Sequence, residues 1–122
     1  MIQSAKIAPP YSQIVILDPG ARVMVPDWKK DFRIISTETC IVVACLAEVD
    51  GETEFLLGDM RQVDPGSRAA FYGRLKTPGR HISLETVEGD VVLKAPTSQD
   101  ETTVRIWTNK LEGPDRVVVG IE

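Results

Sequence analysis

Two cysteines and one histidine are the side chains in this sequence best suited to metal or redox chemistry. Cys40 and Cys45 both lie in the segment ETCIVVACLAEVDGETEFLLGD, five residues apart. In a strand, residues an odd number apart point to opposite faces, and five residues span roughly 16 Å. The two sulfur atoms are therefore too far apart for a disulfide. Because both faces of this segment are apolar, we expect a central strand with both cysteines reduced, buried and without metal.

The remaining chemistry-bearing residues do not form a recognisable catalytic set. His81 follows the Thr77-Pro78-Gly79 turn, where we expect it to be exposed and without a structural role. Ser83 shares its strand face, an arrangement that rarely provides a nucleophile and its base. The sequence has no glycine-rich phosphate loop, no glycosidase pair that stands out among its acids, and no metal-ligand spacing. It predicts a protein that is not an enzyme and has no cofactor or metal.

The acidic stretch after Cys45 predicts a surface hairpin. Asp50-Gly51 is a strong signal for a two-residue hairpin loop, which would place Leu46 across from Phe55. The tip of this hairpin carries four acids and no base: Glu48, Asp50, Glu52 and Glu54. Such a cluster is either a solvated turn or a surface that binds a cationic partner. A second acidic turn later in the chain contains Glu85, Glu88 and Asp90.

Aromatic residues supply a second candidate surface. Trp107 lies in TTVRIWTN, where alternation puts it on the more polar face of its strand beside Arg105. A tryptophan next to an arginine is common at protein interfaces, and a tryptophan is also a common cover for a sheet. The alternative to a protein interface is a small-ligand or carbohydrate-binding module, with Trp107, Arg105 and Tyr72 as a stacking platform.

The composition is that of a folded domain with a modest negative charge. The 122 residues are 43% hydrophobic and 26% charged, with 18 acids against 14 bases and a net charge of −4. We expect one domain, residues 1–122, and the charge argues against direct nucleic-acid binding. The N-terminus lacks the pattern of a secretory signal, and the longest apolar run, Ile41 to Ala47, is too short for a membrane helix. These features predict a cytoplasmic protein with no membrane partner and with reduced thiols.

Short strand-like segments separated by turn signals predict an all-β fold. Clusters such as Asp18-Pro19-Gly20 and Asp64-Pro65-Gly66 divide the chain into pieces rich in Val, Ile and Thr. The predicted strands lie near 11–17, 21–26, 39–49, 52–58, 68–76, 80–87, 90–95, 102–109 and 115–121, with one short helical turn near 27–32. We expect an antiparallel β-sandwich of about eight or nine strands, with a jelly roll as one topology open to it. The aliphatic last strand should be paired inside a sheet; at an edge it would form the seam of a homo-oligomer.

Three short motifs resemble a known bacterial family. Tyr11-Ser12-Gln13-Ile14 opens the first predicted strand, Asp27-Trp28 follows it, and Trp107-Thr108 precedes the final aliphatic strand. Together they resemble the competence-protein-J family, inhibitors of the DNA-entry nuclease. The resemblance implies a non-enzymatic protein whose partner is a secreted or membrane-associated nuclease. An acidic surface would compete for a groove built to hold phosphates. The predicted partner-binding residues are Glu48, Asp50, Glu52, Glu54, Arg105 and Trp107.

Overall fold

The strands form two β-sheets that pack face to face. The computed structural model describes residues 2–122. Within this range the ten strands are β1 (Ile2–Ile7), β2 (Gln13–Leu17), β3 (Ile34–Ser36), β4 (Cys40–Ala44), β5 (Thr53–Asp59), β6 (Phe71–Lys76), β7 (His81–Glu85), β8 (Val91–Pro96), β9 (Glu101–Thr108) and β10 (Arg116–Ile121). Between the strands lie a four-residue helix, α1 (Met60–Val63), and two 3-10 turns, Pro10–Ser12 and Glu48–Asp50.

The two sheets have five strands each. The first sheet has the order β1-β5-β10-β9-β6, and the second sheet has the order β3-β4-β2-β7-β8. Within residues 2–122, neighbouring strands are antiparallel except β5 and β10, which are parallel. β8 of the second sheet lies against β1 and β5, so β3 and β6 are the edge strands on the other side. The predicted all-β, mainly antiparallel sandwich is therefore confirmed, with ten strands in place of eight or nine.

Several segments differ from the sequence prediction. The prediction misses β1 and β3, and segment 21–26 is a loop instead of a strand. The N–H of Met24 donates to Thr39 Oγ1 at 2.8 Å, and its C=O accepts from Thr37 Oγ1 at 2.6 Å. The hydroxyls of Thr37 and Thr39 thus make the hydrogen bonds to Met24 that a neighbouring strand would otherwise make. The helical turn predicted near 27–32 is a loop with one hydrogen-bonded turn.

The hydrophobic core lies between the sheets and is built from alternate residues of each strand. In β10, Val117 and Val119 face this core, whereas Val118 faces outward and packs against Trp107 and helix α1. Because both faces of β10 are covered, its sequence is aliphatic without alternation. β10 is paired with β5 and β9, which confirms that the last strand lies inside a sheet.

Both cysteines are buried free thiols, as predicted for a covered strand. Cys40 at the start of β4 has no exposed surface, and Cys45 lies just past the end of β4 with 5% of its surface exposed. Cys45 packs in the core beside Ile41 and Val43. Burial raises the pKa of Cys40 to about 11 and that of Cys45 to about 12, so both thiols are protonated at neutral pH.

The predicted hairpin at Asp50-Gly51 is wrong, because β4 and β5 belong to different sheets. Residues 45–52 instead cross from the second sheet to the first. The N–H of Leu46 donates to the carbonyl of Pro114 at 2.9 Å, which ties the start of this segment to the turn at 109–115. Gly51 still supplies a left-handed φ of 138°, but it turns the chain into the other sheet.

Four connections meet at one end of the sandwich. β2 begins there, since Gln13 pairs with Ala44 at the end of β4, and β7 ends there. β5 and β10 begin at the same end, because they run in parallel. The four connections span residues 8–12, 45–52, 86–90 and 109–115. The N–H of Glu54 also donates to the carbonyl of Asp115 at 2.8 Å, which adds a further backbone hydrogen bond at this end.

A candidate partner-binding site at the acidic end

This end of the sandwich brings together acids from distant parts of the sequence. We refer to it as the acidic end. Its acids are Glu48, Asp50, Glu52, Glu54, Glu85, Glu88, Asp90, Glu112 and Asp115, and its bases are Lys6, Arg33, Lys110 and Arg116. The two acidic turns seen in the sequence share this end because β2 pairs with β4 on one side and with β7 on the other. The local negative potential is therefore stronger than the net charge of −4 implies.

Three of the predicted acids are exposed carboxylates on the crossing between the sheets: Glu48, Asp50 and Glu52. The turn Glu48–Asp50 is closed by a hydrogen bond from the N–H of Asp50 to the carbonyl of Ala47 at 2.9 Å. The hydrogen bond between Leu46 and Pro114 fixes the start of the crossing to the other sheet. The backbone that carries these carboxylates is therefore already ordered before a partner binds.

Glu54 differs from the other predicted acids because it has basic neighbours. Its Oε1 lies 3.2 Å from Nε of Arg116, and Lys6 is its pairing partner on β1. The prediction of a tip without bases is therefore wrong, since strands distant in sequence supply two cations. The ion pair with Arg116 offsets the charge of Glu54, whereas Glu48, Asp50 and Glu52 on the crossing have no ion pair of this kind among residues 2–122.

Asp115 adds a further negative charge beside the crossing. The side-chain amide of Asn109 donates to this carboxylate and holds its pKa below the usual value; partial desolvation opposes the shift, and the charge of Lys110 supports it. Oδ1 of Asn109 accepts the N–H of Arg116 at 3.1 Å. The carboxylate of Asp115 is therefore ionised and oriented at neutral pH.

Tyr11 and Val49 are exposed apolar side chains at the acidic end that sequence reasoning did not assign to the site. They are 71% and 89% exposed, and the two 3-10 turns that carry them touch each other. Tyr11 and Ser12 have φ values of 59° and 58°, in a region that costs a non-glycine residue roughly 1–3 kcal/mol. The N–H of Cys45 donates to the carbonyl of Ser12 at 2.8 Å and helps to hold this conformation. Such strain is concentrated at binding and catalytic sites.

Trp107 and Arg105 are not brought together with the acidic crossing. Trp107 is 4% exposed, lies against Met60 and Val63, and donates from Nε1 to the carbonyl of Ser67 at 3.0 Å. The prediction of an accessible tryptophan is therefore wrong, because the segment that contains α1 covers it. Trp107 instead packs over the outer face of its sheet, which is the alternative role that the sequence left open.

The predicted stacking platform for a small ligand is likewise not assembled. The guanidinium of Arg105 lies over the ring of Tyr72, 4.8 Å from its centroid, on the outer face of the first sheet. Tyr72 is 62% exposed, but the buried Trp107 cannot join it to form a binding surface.

His81 lies at the opposite end and has polar contacts, contrary to the prediction that it is idle. Its Nδ1 lies 3.0 Å from the carbonyl of Gly79 and 3.5 Å from Oδ1 of Asp18, which is fully buried. Ser83 is buried, and its hydroxyl has no hydrogen-bond partner within residues 2–122. These contacts connect two turns and do not prepare a nucleophile.

In the described part of the chain, no three His, Cys, Asp or Glu side chains lie close enough together to hold a metal ion. Nor does any helix in residues 2–122 have the length and apolarity to cross a membrane.

Two solved structures share this fold. One is ComJ, inhibitor of the DNA degrading activity of NucA, from Bacillus subtilis, with a TM-score of 0.67 and 13% sequence identity. The match covers 99% of this chain and 97% of ComJ. The other is the crocagin biosynthetic gene J product, with a TM-score of 0.50, 12% identity, and coverage of 98% and 97% of the two chains.

The chain has a ComJ-like fold. The resemblance to the competence-protein-J family, predicted from three short motifs, is thus confirmed at the level of the fold. No family profile matches the sequence, and no curated protein matches it either.

Proposed function

We propose that this chain is a non-enzymatic inhibitor that binds a DNA-degrading nuclease and blocks its DNA-binding groove. The observation that carries the proposal is the fold shared with ComJ over nearly the whole length of both chains. ComJ inhibits the DNA degrading activity of NucA.

The acidic end supplies a physical reason for such binding. A groove that holds phosphates is basic or contains metal ions, so fixed carboxylates are attracted to it and compete with DNA. The exposed acids on the crossing between the sheets meet this requirement, with Asp115 ionised beside them. Tyr11 and Val49 add exposed apolar surface of the kind that the centre of an interface buries. We therefore assign the partner contact to the acidic end.

The test is a DNA-degradation assay with the wild-type protein and two single charge reversals. The nucleases are purified NucA and nucleases isolated from the organism that produces this chain. Asp50→Lys changes an exposed acid on the crossing, and Asp100→Lys changes an exposed acid between β8 and β9 at the opposite end. Both substitutions alter the net charge equally, so a difference between the variants reports the position of the charge.

We expect Asp50→Lys to slow the onset of inhibition after mixing, which reports association, roughly 3- to 10-fold at low salt and Asp100→Lys to change it little. The difference should shrink at 1 M salt, where the Debye length falls to about 3 Å. If the wild-type protein inhibits none of these nucleases, the proposed function is excluded. If the two variants behave alike at both salt concentrations, the acidic end is excluded as the contact surface.

A further inference from the structure

A cleft of about 530 Å³ opens beside the acidic end, between the edge strands β3 and β6. One wall contains Ile34 and Ala44 of the second sheet, and the facing wall contains Ala70 and Phe71 of the first. The turn at 109–115 forms the third wall. A volume of this size is within the usual range for binding pockets.

The walls of the cleft are held by backbone hydrogen bonds. The N–H of Ala44 donates to the carbonyl of Arg33 at 2.8 Å, and the N–H of Leu46 donates to the carbonyl of Pro114 at 2.9 Å. The first bond fixes the 27–33 loop to the second sheet, and the second bond fixes the 109–115 turn to the crossing. A cavity held open in this way is preformed, which lowers the cost of filling it.

Phe71 forms an aromatic part of the cleft wall. Its ring lies along its own strand, over Gly73. A Cβ atom at Gly73 would come within 2.8 Å of Cζ of Phe71, so the ring occupies the space that a side chain at Gly73 would need. Phe71 is partly buried, and it both packs against the core and lines the cleft. An apolar surface is therefore accessible from solvent at this point.

The rim of the cleft carries charged side chains that are joined only by a weak ion pair. Nη2 of Arg33 lies 3.6 Å from Oε1 of Glu112, and both side chains are exposed, so this ion pair is weak. Asp31 adds an acid, while the 27–33 loop as a whole carries both signs. Leu111 on the same rim is 69% exposed, an apolar side chain that a partner would cover.

The cleft and the acidic crossing belong to one continuous surface, because Leu46 lies between them. A Cβ atom at Gly113, which lines the cleft, would be 3.9 Å from Cα of Leu46. A Cβ atom at Gly51, on the crossing, would be 3.7 Å from Cδ2 of the same leucine. A single loop of a partner can therefore contact both.

We propose that this cleft receives one aromatic or long aliphatic side chain from a basic loop of the partner and so anchors the complex. The inference rests on the proposed function. The apolar walls match such a side chain, and the acids of the neighbouring crossing match lysine and arginine residues on the same loop. In this arrangement the acidic end controls the association rate, and the cleft controls the dissociation rate.

The test uses two cleft variants, each with a matched control at the opposite end of the sandwich. Ala70→Trp fills the cleft from an exposed position, and Ser98→Trp places the same side chain on an exposed loop elsewhere. Leu111→Ala removes the apolar side chain at the rim, and Ile2→Ala truncates a 50% exposed residue of β1. Association and dissociation rates are measured by surface plasmon resonance with the same nucleases, after circular dichroism has established that each variant is folded.

We expect Ala70→Trp to raise the dissociation rate at least about 30-fold and Leu111→Ala to raise it about 5- to 10-fold, with association nearly unchanged. Both controls should stay within about twofold of wild type. If the wild-type protein binds and the cleft variants dissociate like their controls, the anchor is refuted while the proposed function stands. If the wild-type protein binds none of the nucleases, both proposals fail. If Ala70→Trp does not fold, Leu111→Ala decides the question, since its side chain is exposed.

Discussion

Replacing Asp18 with alanine should lower the free energy of unfolding by about 3 kcal/mol, because one buried carboxylate joins two turns. Asp18 has no exposed surface. Its Oδ1 accepts the N–H of Gly20 at 2.7 Å, and its Oδ2 accepts the N–H of Gly79 at 2.6 Å. Gly79 lies in the turn between β6 and β7, where the chain crosses between the sheets. The second hydrogen bond therefore ties the end of β2 to this crossing.

The magnitude follows from the number and type of these hydrogen bonds. A hydrogen bond to a charged acceptor contributes about 1.5–3 kcal/mol, and Asp18 accepts two. Two such bonds would contribute about 3–6 kcal/mol; both glycine donors are exposed residues, so water replaces part of what is lost and the lower end of this range applies. For a domain of this size, about 3 kcal/mol corresponds to a fall in Tm of roughly 10–15 °C.

Asp64 provides a matched control, because it begins the same Asp-Pro-Gly tripeptide. Its Oδ1 accepts the N–H of Gly66 at 2.7 Å, but Asp64 is exposed and this hydrogen bond is local. Asp64→Ala should therefore cost only about 0.5–1 kcal/mol. Urea unfolding followed by circular dichroism measures both variants. Losses that agree within about 0.5 kcal/mol would refute the role assigned to burial and to Gly79.

A double-mutant cycle tests the same contact from the other side. A Cβ atom at Gly79 would lie 2.7 Å from Oδ1 of Asp18 and 3.2 Å from Cα of Gly20. Gly79→Ala should cost about 1–3 kcal/mol in the wild-type protein and clearly less in the Asp18→Ala variant, where the carboxylate is gone. Strictly additive losses would show that the two residues do not act on each other.

Burial leads to three other predictions. Cys40 and Cys45 should react with a thiol reagent only after unfolding, because burial raises their pKa values to about 11 and about 12; fast reaction of the native protein would contradict their placement. Leu46→Ala should cost about 1–2 kcal/mol, less than the 2–5 kcal/mol of a fully buried leucine, since Leu46 is half-buried; a loss above about 3 kcal/mol in urea unfolding would argue against the crossing. Iodide should quench the fluorescence of Trp28, which is 70% exposed, and not that of Trp107; equal quenching in the two single Trp→Phe variants would exclude the burial of Trp107.

Most strands could be predicted from the sequence because their signals are local. Runs of Val, Ile and Thr between turn residues bury one or both faces in any sandwich, and β2 and β4–β10 correspond to predicted segments. β1 and β3 were missed for a physical reason. β1 is a half-buried edge strand with a polar alternate face, and β3 has only three residues. Their strand conformation depends on pairing with β5 and β4.

The candidate site could be predicted only in part. The acids around Gly51 can be recognised in the sequence, but their neighbours depend on topology. The parallel pairing of β5 with β10 places Arg116 beside Glu54, and the two partners of β2 place the second acidic turn at the same end. The cleft beside Phe71 exists only because the edges of two sheets face each other, and no local pattern marks it.

The two Asp-Pro-Gly tripeptides separate what local sequence determines from what tertiary structure decides. In both, the aspartate accepts the glycine N–H at 2.7 Å, so the sequence alone determines each turn. Only the packing of the sheets buries Asp18 against Gly79 and leaves Asp64 at the surface. The turn at Asp50-Gly51 follows the same rule: the glycine bends the chain, but the pairing of β5 with β1 and β10 places the next strand in the first sheet. The conformation of a turn depends on the torsion angles of a few residues. The segment that the turn packs against depends on contacts between parts of the chain that are far apart in the sequence.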